Sequence, residues 1–360
     1  MSTAIVASRV IPYEIPVHVP FAIATQTMPK AEGAFIEITS EEGYVGLGEA
    51  APFPVLTKDD AKICATHGTE LLAEIKGLSP REALARLASL KPESFAISRT
   101  AYVGVESALW DLLAKSLGLP LAKIWGKGVL SSLTTDITLP IMPPEQIPGF
   151  WDRFGSYGFD MVKIKVSGHV SSDLDLVTHT VKLLGPTVRI TLDGNQGFSR
   201  QNAINLVDEL LRHGIRPEFF EQPLPADDYQ GLAALTAHLP IPVCVDETVT
   251  SQEDAKRVAR EKLGHIINLK IMKSGIGETL AIMDIAMHSG LSLMIGGMLE
   301  TEVAMGVSLQ LACGTGAVTH VDLDTPFFMT SPITEKSPWA AHSARLVCPT
   351  EPGHGLRLVP

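Results

Sequence analysis

Five charged residues, Lys165, Asp193, Glu221, Asp246 and Lys270, follow one another at intervals of 28, 28, 25 and 24 residues. Each closes a short β-rich run, over residues 161–166, 189–193, 218–221, 242–246 and 266–270. A repeat of that length is one strand plus one helix, and in a parallel barrel the strand ends carry the chemistry. In the run Met161-Val-Lys-Ile-Lys-Val166, Lys163 and Lys165 share one face and the aliphatic residues the other. The aliphatic face must pack on helices, so both ammonium groups point inward. That burial costs several kcal/mol unless acids stand close by. A structural ion pair is the alternative to a catalytic role. Asp193, Glu221 and Asp246 end the next three strands. Three clustered carboxylates repel one another unless a cation neutralises them, and an all-oxygen set suits Mg²⁺. No Cys or His accompanies the three at these strand ends, which argues against zinc. Lys270 ends the sixth strand, opposite the second in a ring of eight. Lys165 and Lys270 thus face each other across the mouth, where one can remove a proton from a carbon and the other return one to its opposite face. A lysine base must be neutral, and a nearby cation such as Mg²⁺ or Lys163 lowers its pKa.

The elements that must hold these residues are legible as pattern. Residues 134–140, 292–295 and 318–322 bring the strands to eight, with amphipathic helical periods between them, as over residues 201–213, 252–261 and 277–288. Eight evenly spaced units favour a closed barrel over a doubly wound sheet. Beyond Asp324 the chain is Pro-rich with no long helical period, so the eighth helix is missing. The expected fold is a (β/α)7β modified TIM barrel behind an N-terminal α+β capping domain. Residues 34–38 and 44–47 alternate around a turn and form a hairpin. Residues 59–72, 80–90 and 98–117 read as helices, and residues 16–30 and 49–57 as long loops. The expected boundaries are residues 1–127 for the capping domain, 128–325 for the barrel and 326–360 for a tail packed back on the cap.

The set Lys163-x-Lys165, Asp193, Glu221, Asp246 and Lys270 resembles the enolase superfamily, in its muconate-lactonizing-enzyme branch. The resemblance covers essentially the whole chain, including Ala108-Leu-Trp-Asp-Leu-Leu-Ala-Lys115 and Gly118-Leu-Pro120. A Lys or His base working with Mg²⁺ is a known property of that superfamily. The mandelate-racemase branch places a His on strand seven, and Leu291-Ser-Leu-Met-Ile-Gly-Gly297 has none. By resemblance the first domain caps the barrel mouth, and residues 16–30 and 49–57 close over substrate. His320, Asp322 and Asp324 share one face of strand eight. Alone, Asp-x-Asp is commonly a strand-end turn. Beside a metal that already has three carboxylates, two further acids suit a substrate cation. An Asp-x-Asp at this place resembles the dipeptide epimerases, where it binds the N-terminal ammonium group. The resemblance implies Mg²⁺-dependent epimerisation of the second residue of a dipeptide. Lys165 and Lys270 are then acid/base catalysts, with Lys163 tuning Lys165 and holding a carboxylate oxygen. Met298 and Glu300 line the pocket, although Met298 also suits plain packing. An N-acylamino-acid racemase or a cycloisomerase of the same branch is the alternative, and a non-catalytic ligand-binding relative a remote one.

Epimerases acting on Ala-Glu carry an arginine in the first capping loop. Its counterpart here is Gln26, and no Lys or Arg lies between Arg9 and Lys30. Phe21, Ile23, Phe53 and Val55 supply apolar surface instead, which suits an apolar second residue. Composition bounds the rest. With 45% hydrophobic and 19% charged residues the chain is ordinary for a globular protein. Its net charge of −11 repels phosphate backbones, so nucleic acid is not an expected partner. No stretch reads as a membrane span. Four scattered cysteines with no CxxC pair, and no basic n-region ahead of an apolar core, give a cytoplasmic expectation. Whether copies of the chain assemble stays open.

Overall fold

The computed structural model describes residues 4–90, 97–126, 130–185 and 187–359. The expected domain boundary at residues 127–128 lies outside the described residues, as does the side chain of Val55.

The N-terminal part is a three-stranded antiparallel sheet of Ile5–Ala22, Thr27–Ser40 and Val45–Ala50, with helices Ala61–Ile75, Pro80–Ser89 and Arg99–Ser116 packed on it. Gly46 and Gly48 let the third strand touch the helix Arg99–Ser116. A Cβ on Gly48 would stand 2.1 Å from Gly104 O, and one on Gly46 2.2 Å from Ala108 O. The structure corrects one reading here. Residues 16–30 are two paired strands and the tight turn between them, not a long loop. Ile15, Val17, Val19 and Phe21 alternate inward while Pro16, His18 and Pro20 face out. Those prolines sit on an edge strand, where no partner needs their missing N–H.

Eight parallel strands follow in chain order: Ile137–Leu139, Met161–Lys165, Arg189–Asp193, Phe220–Glu221, Val243–Val245, Ile266–Leu269, Ser292–Ile295 and His320–Val321. Asp136 N–H donates to Val321 O at 3.1 Å, joining first to eighth. Helices follow the first seven strands, and a short 3-10 turn, Thr325–Phe328, follows the last. Asp246, Lys270 and Asp322 stand one residue past their strands, so their side chains meet at the open end rather than in the ladder. The tail lies on both units. Arg345–Val347 pairs with Ser132–Thr134, while His354 N–H donates to Asp111 of the helix Arg99–Ser116 at 2.8 Å.

Two buried glutamates tie the cap to the barrel. Glu49 accepts from Tyr13 Oη (2.6 Å), Thr301 N (2.9 Å), Thr301 Oγ1 (2.5 Å) and Ala304 N (2.9 Å), at the start of the helix Glu302–Thr315. Glu106 accepts from Ile276 N (2.7 Å) and Gly277 N (3.1 Å), at the start of the helix Ile276–His288. Each carboxylate satisfies N–H groups that a helix end leaves without partners.

Candidate active site

All six charged residues of the strand-end set are buried at the mouth of the barrel. Lys165 Nζ donates to Asp193 Oδ2 (2.6 Å) and Asn195 Oδ1 (3.1 Å). Across the ring, Lys270 Nζ pairs with Asp246 Oδ2 at 2.7 Å. Lys163 lies between, bonded to Asp322, 2.9 Å from Glu221 Oε2 and 3.8 Å from Asp193 Oδ2. A further lysine, Lys273, donates to Asp246 O (2.6 Å), Asp246 Oδ1 (2.7 Å) and Asn268 O (3.0 Å).

Burial alone pulls Lys163 and Lys270 down. The carboxylates outweigh it, Asp322 and Glu221 around Lys163 and Asp246 and Glu221 around Lys270, and hold both above the usual lysine value. Burial pushes Asp246 up, but Lys270 and Lys273 bring it below the ordinary carboxylate range. Asp246 Oδ1 and Oδ2 are thus each held by a different lysine.

On the opposite wall, Asp322 and Asp324 meet a third acid, Asp136, with one oxygen of each within 4.8 Å of the others. Asp324 Oδ2 accepts from Thr138 N at 2.5 Å and Asp322 Oδ1 from Thr138 Oγ1 at 3.4 Å. Burial, then the charge of Asp322, raises Asp324 to about 7.

Phe21, Ile23, Phe53, Leu56, Thr138, Lys165, Asn195, Asp246, Glu247, Lys270, Gly297, Met298, Asp322 and Asp324 enclose one cavity. Phe21 comes from the hairpin of the cap, and its ring centroid lies 5.8 Å from Lys165 Nζ. Glu300 is buried behind this wall and accepts from Met298 N at 2.8 Å. Burial pushes its carboxyl up to about 8. Gln26 is not on the cavity wall. Its Nε2 donates to Met28 Sδ at 3.4 Å.

Residues 5–126 match the mandelate racemase/muconate lactonizing enzyme N-terminal domain, and residues 136–360 the enolase C-terminal domain-like family. The chain belongs to the enolase superfamily. An L-Ala-D/L-amino acid epimerase of Populus trichocarpa is 36% identical, over 90% of this chain and 78% of that one. An aromatic dipeptide epimerase of Herpetosiphon aurantiacus is 33% identical, over 91% and 92%. The solved dipeptide epimerase of Enterococcus faecalis V583, complexed with Mg and L-Leu-L-Tyr, superposes with a TM-score of 0.92 at 27% identity, covering 99% of both chains.

As a member of the enolase superfamily, the chain can be tested for its fit to Mg²⁺ on its own atoms. Asp193, Glu221 and Asp246 close three adjacent strands and are all buried oxygen donors, and what meets Glu221 Oε2 is itself a cation, the Lys163 ammonium at 2.9 Å. This set fits a hard divalent ion. In the trio of Asp136, Asp322 and Asp324, whose oxygens lie within 4.8 Å of one another, Asp322 accepts from the Lys163 ammonium. Several participants were missed in the sequence. Asp136, one residue before the first barrel strand, and Thr138 within it are buried beside the Asp-x-Asp pair, in a run read from the sequence only as a strand. Lys273 follows Lys270 by three residues, a helical step that signals a shared face. Glu247 directly follows Asp246, and Asn195 lies two residues beyond Asp193.

Proposed function

We propose that this enolase-superfamily protein is an Mg²⁺-dependent dipeptide epimerase that inverts Cα of the substrate's second residue. The observation that carries the reading is the cavity itself. Lysines from strands two and six border it, and two buried aspartates from strand eight lie on its wall. Asp193, Glu221 and Asp246 would hold the metal, which would supply positive charge against the second negative charge developing on the substrate's carboxylate. Lys165 and Lys270 stand on opposite sides of Cα, so one takes a proton while the other gives one. Lys163 holds a carboxylate oxygen and screens Lys165. Asp322 and Asp324 take the N-terminal ammonium group through charge-assisted hydrogen bonds. The cap closes the cavity with Phe21, Ile23, Phe53 and Leu56, and Met298 completes an apolar wall. That wall, with Gln26 outside it, selects an apolar second residue over an acidic one. Relatives named for aromatic and hydrophobic dipeptides, at 33% and 32% identity, stand beside relatives named for L-Ala-D/L-Glu at 31% and 30%, so the choice rests on the wall.

The test is a panel of L,L-dipeptides and N-acylamino acids incubated with Mg²⁺ and read by chiral chromatography. Inversion of dipeptides, strongest for apolar second residues and abolished reversibly by EDTA, is the expected result. Turnover of N-acylamino acids alone would replace the reading with a racemase.

A further inference from the structure

The acid trio at the barrel seam contains one more carboxyl group than the Asp-x-Asp pair supplies. Asp136, Asp322 and Asp324 are all buried, and a single ammonium, that of Lys163, is bonded within the trio, to Asp322. Asp324 receives the Thr138 N–H, whereas Asp136 Oδ1 and Asp324 Oδ1 have no hydrogen-bond partner among the described residues. Two unpartnered oxygens in a nearly dry site are costly unless a ligand or a proton meets them. Asp322 and Asp324 lie on the cavity wall and Asp136 does not, so it works from behind. Its backbone is part of the seam, where Asp136 N–H donates to Val321 O and Leu323 N–H to Thr135 Oγ1 at 2.8 Å.

We propose that Asp136 is a positioning residue for the substrate's ammonium group, donating a hydrogen bond from its carboxyl to Asp322 so that Asp322 and Asp324 keep free oxygens toward the cavity. The charge count supports it. Three carboxylates meet one ammonium, which is shared with Glu221 at 2.9 Å, so at least two negative charges are in excess. One proton on Asp136 and one incoming ammonium offset two of them. Burial, followed by the neighbouring charge of Asp322, pushes the Asp136 carboxyl well above the usual range, in line with a held proton. The inference rests on the dipeptide reading above.

Two variants test it, with L-Ala-L-Phe as substrate and Mg²⁺ present. Asp136→Asn keeps a donor toward Asp322 and is expected to hold kcat and KM within about three-fold of the wild type. Asp136→Ala removes the donor and is expected to raise KM about ten-fold or more, with kcat within about three-fold. Asp136→Val, which likewise lacks a donor, takes the place of the alanine variant if that one does not fold. Equal losses in the Asn and Ala variants, a loss confined to kcat, or an unchanged KM in the Ala variant would each overturn the proposal. So would loss of Mg²⁺ binding by thermal shift, which would assign the trio to the metal. Wild-type protein that inverts no dipeptide at all would instead remove the functional reading, and the proposal with it.

Discussion

At the scale of single residues, the site is a set of opposed charges whose balance decides what each lysine can do. Without a divalent cation, Asp246 and Glu221 hold Lys270 as ammonium, and Asp322 and Glu221 do the same for Lys163. A divalent ion held by Asp193, Glu221 and Asp246 would compete with the lysines for these carboxylates and weaken that hold, and activity is expected to be lost reversibly with EDTA. If Lys165 and Lys270 serve opposite faces, Lys165→Ala stops deuterium exchange from one epimer and Lys270→Ala from the other. Both variants lose inversion by about 10²–10⁴-fold, measured in D₂O by mass. Exchange from both epimers in either variant would contradict a two-base arrangement. These lysines and acids were legible because inward charges on a parallel barrel strand are costly and recur with its period. Asp136 was not, because an acid below the strand end has no periodic partner and its meaning depends on strand eight closing beside it.

At the scale of elements, the hairpin formed by Ile5–Ala22 and Thr27–Ser40 carries specificity. Its tip places Phe21 over Lys165 and Ile23 on the cavity wall, while Gln26 lies against Met28. An arginine at position 26 reaches farther and carries the charge that an acidic substrate side chain needs. Gln26→Arg is therefore expected to raise kcat/KM on L-Ala-L-Glu relative to L-Ala-L-Phe by about ten-fold, the worth of one charge-assisted contact. An unchanged ratio would show that the hairpin tip does not read that side chain. The barrel strands were readable because buried runs spaced by amphipathic helices leave few alternatives. The hairpin was hidden by Pro16 and Pro20, which resemble loop residues until the sheet order shows this strand at an edge.

At the scale of the molecule, cap and barrel are held together by carboxylates on helix ends rather than by the lid alone. Glu49 and Glu106 reach from the cap to the helices that follow strands seven and six, the strands leading to Met298 and Lys270. Glu49→Ala leaves two backbone N–H groups and the hydroxyls of Tyr13 and Thr301 without their acceptor. It is expected to lower unfolding free energy by about 2–4 kcal/mol in urea denaturation. A change below about 0.5 kcal/mol would mean that water replaces the carboxylate at no cost. The central claim, that cap and barrel enclose a site inverting Cα of a dipeptide's second residue, is tested most directly by one incubation. L-Ala-L-Phe is held with the protein and Mg²⁺ in D₂O, and the product is analysed by mass and chirality. The account predicts one deuterium at Cα of phenylalanine and the appearance of L-Ala-D-Phe. Deuterium at the alanine Cα, or no exchange while an N-acylamino acid is racemised, would contradict it.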